Sequence, residues 1–200
     1  MPASSTPSVA TTDATRADEV AALLVGAVDL HCHSGPAAMP RILDHHEALM
    51  DCAKARFSAL IYKDHFYLGV SHAVILEKLF PETGVKLFSG IALNNASGGI
   101  NPHAVNHAIN IGAKIVWLPT LSAANHIEKL ATEGKNFPKT AKKTLDPIPL
   151  SALDANGKLS DDTKLVLDLQ FSAADIRRMI SQNAAGLLNL GAPAADQKVA

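Results

Sequence analysis

Along the chain, short apolar runs alternate with stretches in which apolar residues recur at helical spacing. The runs at residues 27–31, 57–63, 85–93 and 113–118 read as strands. A first helix precedes them, opened by Thr15-Arg16-Ala17-Asp18 in capping-box form and continuing as RADEVAALLVG. Pro40 marks the start of a second helix, whose sequence RILDHHEALMDCAKARF places Ile42, Leu43, Leu49, Met50 and Ala53 at helical spacing. A third helix covers about residues 70–80 and ends near Pro81. Asn101-Pro102 opens a fourth, closed by Gly112. After Leu118 the regularity fades. Residues 134–160 carry lysines, prolines and the turn signal Asp154-Ala155-Asn156-Gly157, and read as a surface excursion or lid. Two helical stretches follow, at about 160–170 and 172–190, the second capped by Ser172 with Asp175 three residues on.

Short apolar strands separated by helices imply a parallel sheet buried on both faces. The expected fold is α/β: a partial or distorted (β/α) TIM-barrel-like domain of about four parallel strands followed by helices. A doubly wound sheet is the second choice, weakened because no glycine-rich phosphate loop follows the first strand. A closed eight-stranded barrel takes ~250 residues, and this chain has 200. Three resolutions are open: the sheet stays open, two chains complete each other, or a segment is lacking near Leu169-Gln170-Phe171. The domain reading is a disordered tail at 1–15, one incomplete barrel-like domain at 16–190 and a tail at 191–200.

Composition narrows the function classes. With 48% hydrophobic residues the chain has enough apolar side chains for a core. A net charge of -1 and 4% aromatics argue against nucleic acid or an anionic membrane as partner. No apolar run approaches the ~18 residues of a membrane helix. The N-terminal residues lack the basic start and apolar centre of a secretory signal. Two cysteines, Cys32 and Cys52, form no disulfide framework, and the expected compartment is the cytoplasm.

Candidate chemistry collects at the strand ends, where α/β folds place their sites. In VDLHCHSGP, His31 and His33 lie two apart and project to one side of a strand, with Asp29 on the same side as a carboxylate able to orient an imidazole. Neutral imidazoles are ligands for Zn²⁺ and similar ions. Cys32 points the other way, into packing. In YKDHFY, Lys63 and His65 share a face: Lys63 is a candidate catalytic amine and His65 a candidate third ligand, while the plainer alternative makes Lys63 and Asp64 a solvated strand end. Asn94 and Asn95, then Thr120 and Asn125, are candidate substrate contacts at the third and fourth strand ends; loop residues tolerant of left-handed backbone are the alternative for the asparagines. His126 is a candidate acid/base or ligand, with a structural histidine near a helix start as the alternative. His45 and His46 read as an exposed helix face, and His72, His103 and His107 as helix positions without chemistry.

The blocks VDLHCHSGP, YKDHF, GGINP and VWLPTLSAANH, over roughly residues 25–130, resemble the metal-dependent amidohydrolase superfamily, closest to a poorly characterised branch. The stretch FSAADIRRMISQNAAGLLNLG, with Asn183, Ala184, Leu187, Leu188 and Leu190, is similar to the closing helix of such enzymes. The resemblance implies a distorted barrel with one or two divalent metals, zinc first and manganese second, His31 and His33 as first-strand ligands, and Lys63 or His65 in the next metal block. It implies a metal-activated water attacking an amide, ester or related bond of a small molecule. The further histidines and late aspartate of that pattern are missing, since no histidine follows His126. DLHCHS is also similar to the opening motif of PHP-type phosphoesterases. A catalytically inactive truncated paralogue, acting by self-association or partner binding, is the non-enzyme alternative, and a homo-oligomer is expected.

Overall fold

The computed structural model describes residues 9–133 and 145–170. The chain divides into two compact units, residues 1–151 and 152–200. The second predicted C-terminal helix, at 172–190, and part of the 134–160 excursion lie outside the described residues.

In the first unit, four strands run β1 Val28–Cys32, β2 Ala59–Tyr62, β3 Lys86–Ala92 and β4 Ile115–Trp117. They pair in sequence order, all parallel. Helices follow the strands: α2 His45–Lys54, α3 Val70–Leu79, α4 Pro102–Asn110 and α5 Ala124–Glu133, with α1 Val9–Leu24 ahead of β1. The alternation expected from the apolar runs is therefore present, as a curled half-barrel. In keeping with the curl, the rings of His31 on β1 and Trp117 on β4 are 6.1 Å apart.

The core between sheet and helices is built from Leu49, Leu60, Tyr62, Ala73, Val85 and Leu87, with Cys32 packed against it as its strand position predicts. Gly90 lets β3 and β4 approach: a Cβ there would strike the Ile115 carbonyl and side chain. Gly112 closes α4 with φ 100°, a conformation that favours glycine.

Two local details differ from the sequence reading. α2 begins at His45, not at Pro40. Asp44 Oδ1 accepts from the Glu47 amide at 2.7 Å, and Glu47 Oε2 accepts from the Asp44 amide at 2.8 Å, a complete capping box. Ile42 and Leu43 consequently lie on the preceding loop, exposed. α1 begins at Val9, upstream of the Thr15 cap.

In the second unit, α6 Asp161–Gln170 matches the predicted 160–170 helix. Ser160 Oγ accepts from the Thr163 amide at 3.2 Å and caps it. Asp154 Oδ1 accepts from the amides of Asn156 and Lys158, forming the turn the sequence signalled.

Candidate functional site

The site is built on a bulge. β1 and β2 pair Asp29 with Leu60 but Cys32 with Tyr62, so β1 carries one extra residue between these points. Bulges re-aim side chains next to functional sites. Here the bulge precedes His33 and the two imidazoles converge: His31 Nε2 and His33 Nε2 are 3.1 Å apart. Asp29 is on the same side but serves the backbone, its Oδ1 accepting from the His31 amide at 2.8 Å rather than orienting a ring.

The next strand end adds Lys63 and His65. Lys63 is 4% exposed and Asp64 3%, so neither marks a solvated strand end. The Lys63 ammonium sits 4.9 Å above the Trp117 ring, a cation–π contact between β2 and β4. His65 stacks on His33 with ring centroids 4.7 Å apart, and its Nδ1 is 3.0 Å from Thr120 Oγ1. Thr120 Oγ1 accepts from Asn94 Nδ2 at 2.9 Å. The threonine hydroxyl thus bridges Asn94 and His65.

Asn94 is buried, with all its polar atoms engaged: Nδ2 on the His65 carbonyl and Thr120, Oδ1 on the amides of Thr120 and Ser122. Asn95 holds Ile148 by both its amide groups. Both predicted substrate contacts thus clamp strand-end loops, and a substrate would have to displace one of these bonds. Asn125 and His126 stand on α5.

Burial sets the electrostatics. Desolvation first, then the charges of Arg41, His31 and Lys63, lower the His33 pKa to about 4. His65 is also lowered to about 4, chiefly by desolvation, with His33, Lys63 and Arg41 adding to it. His31 is lowered by desolvation and Lys63, against a smaller opposing effect of Asp29. Burial also lowers Lys63 and raises Asp64. The imidazoles are accordingly neutral at pH 7, the form that binds metal. No group of three or more His, Cys, Asp or Glu side chains is arranged to hold a metal ion among the described residues.

Two features were not legible beforehand. Arg41, on the loop before α2, reaches His33 Nδ1 with Nη2 at 3.4 Å. It is the only basic residue between His33 and Lys54, which is the one sequence cue it leaves. The other is His45, which is not on an exposed face: it is 4% exposed, with Nδ1 2.6 Å from Ser34 Oγ and Nε2 2.8 Å from Tyr67 Oη. Tyr67 in turn donates to the Pro36 carbonyl at 3.0 Å. His46, His72, His103 and His107 are exposed, as read.

No curated protein and no solved structure matches the chain. A match over residues 26–176, from just before β1 through all the strand-end residues described above, shows that the chain belongs to a family of unknown function, DUF6282.

Proposed function

We propose that the mouth of the half-barrel is a metal-dependent hydrolase centre acting on a small molecule with an amide, ester or related bond. One observation carries this reading: the 3.1 Å separation of His31 Nε2 and His33 Nε2. Two nitrogens bound to one tetrahedral zinc, each at ~2.0–2.1 Å, lie about 3.3 Å apart. The two rings would supply two of the ligands of such an ion and leave the remaining positions to water or substrate; desolvation first, then neighbouring cations, holds both near neutrality. Zinc is the first candidate and manganese the second, because imidazole alone does not select between them. A divalent cation there would supply a Lewis acid and lower the pKa of a coordinated water towards ~7.

The chain's own residues have separate tasks. His31 and His33 hold the ion. His65, fixed by Thr120, keeps the His33 ring in place through their stack. Lys63, with no acidic partner, is placed to meet negative charge developing on a substrate oxygen. The test is a panel of amides, esters and lactones. Turnover abolished by a chelator, restored by zinc or manganese and lost in H31A/H33A is the expected result. Turnover indifferent to the chelator overturns the reading.

A second reading, self-association, is favoured by the open edge of β1, where Val28 is 52% and Leu30 62% exposed. It predicts a dimer or larger assembly in sedimentation, and a monomer at micromolar concentration contradicts it. No helix among the described residues is long and apolar enough to cross a membrane. Cys32 and Cys52 are free thiols, in keeping with a reducing compartment such as the cytoplasm.

A further inference from the structure

We propose that Arg41 and Lys63 form an oxyanion-binding pair beside His33, so that the molecule taken at the mouth carries a carboxylate or phosphate group. The proposal rests on reading the mouth as a substrate site and names the class of substrate.

Three observations meet here. First, neither cation has an acidic partner: the ion pairs among the described residues are Lys86–Glu77, Lys129–Glu133 and Lys164–Asp161, all elsewhere. Arg41 Nε is sealed from solvent with no acceptor, and the Lys63 ammonium lies over the face of Trp117. A guanidinium fork and an ammonium in this state have donors to spare, and oxyanions are the groups they suit. Second, both cations border the same imidazole cluster: Arg41 Nη2 is 3.4 Å from His33 Nδ1, and the Lys63 ammonium is 4.9 Å above the Trp117 ring, which lies 6.1 Å from that of His31. Third, no carboxylate closes an ion pair with either cation: Asp29 Oδ1 accepts from the His31 amide, and Asp64 Oδ1 from the Phe66 amide, leaving Asp64 Oδ2 buried without a hydrogen bond and within the field of Arg41.

The pair also couples to the ion. Arg41 Nη2 donates to His33 Nδ1 in the structure, which puts the ring proton on Nε2. A cation bound at Nε2 requires the proton on Nδ1, and Arg41 is then released. A divalent ion beside two unpaired cations is held less tightly than one that an anion accompanies. An oxyanion that takes the freed Arg41 donors and the Lys63 ammonium answers both demands, so ion and anion strengthen each other's binding.

The experiment is calorimetric titration of the full chain, stripped of metal by a chelator, with sodium malonate and separately with sodium phosphate, against chloride of equal ionic strength. One anion per chain is expected, with affinity at least tenfold weaker in R41Q and in K63M while the thermal transition is retained. Tighter malonate points to a carboxylate substrate, tighter phosphate to a phosphomonoester. Neither anion binding above chloride, or R41Q binding as tightly as the parent, overturns the proposal. If R41Q loses its thermal transition, R41K and K63M decide: unweakened binding in both overturns it. Because metal is left out, failure of the ion site leaves this measurement standing. Zinc binding with no anion binding rejects the pair alone.

Discussion

The chain carries two imidazole clusters within a few residues of each other in sequence, and they have opposite characters. At the buried one, every polar atom of the His45 ring is spent. Tyr67 donates to the Pro36 carbonyl, so its oxygen accepts from His45 Nε2–H, and Nδ1 accepts from the Ser34 hydroxyl. At the mouth, His31 and His33 face each other with their Nε2 atoms, and the cations beside them lack acidic partners. Both clusters are desolvated, and His33, His45 and His65 are each lowered to about 4. The low pKa therefore does not distinguish a site from a structural histidine. What distinguishes them is the partners: the His45 ring is bonded in the interior by Ser34 and Tyr67, whereas the His31 and His33 Nε2 atoms are bonded to each other and the neighbouring Arg41 Nε has no acceptor.

Substitution separates the two sharply. H45A leaves Ser34 Oγ and Tyr67 Oη without their partner in the interior and opens a cavity beside Tyr62. The expected cost is about 2–4 kcal/mol in denaturant unfolding. A cost below about 0.5 kcal/mol would place His45 with the mouth instead. Acid acts on both clusters in one direction. The folded pKa of about 4 for each of the three rings lies below the unfolded value, so the unfolded chain binds more protons in between. Stability is complete above ~6.5 and falls as pH drops towards 4. Thermal melts across that window should show the decline, steeper in the parent chain than in H45A.

Smaller effects refine the contrast. Y67F removes one bond of the His45 chain, and about 1 kcal/mol of stability should go with it. H31A and H33A, at exposed or half-buried positions, should each change stability by less than about 1 kcal/mol. Losses as large as that of H45A would show that the mouth is built for folding rather than for binding.

The same contrast explains what the sequence disclosed. β2 and β3 were legible because nearly every residue is buried, which writes a continuous apolar run. The strand-end position of His31, His33, Lys63 and His65 followed from that. The bulge in β1 leaves no mark in the sequence VDLHC, where neither a glycine nor a proline signals it. Pro40 misplaced the start of α2 because the Asp44–Glu47 capping box, not the proline, supplies the missing donors and acceptors. His45 was misread since its neighbours Asp44, His46 and Glu47 are exposed and polar, and its burial depends on Ser34 and Tyr67 from other segments. Arg41 is visible as a site residue only from what it lacks, an acidic partner, and that is a property of the folded chain.

The most direct test is metal stoichiometry. Protein dialysed against zinc and then against metal-free buffer should hold one ion per chain, and H31A/H33A, still folded by its thermal transition, should hold none. Equal zinc in both proteins, or none in the parent, would contradict the account.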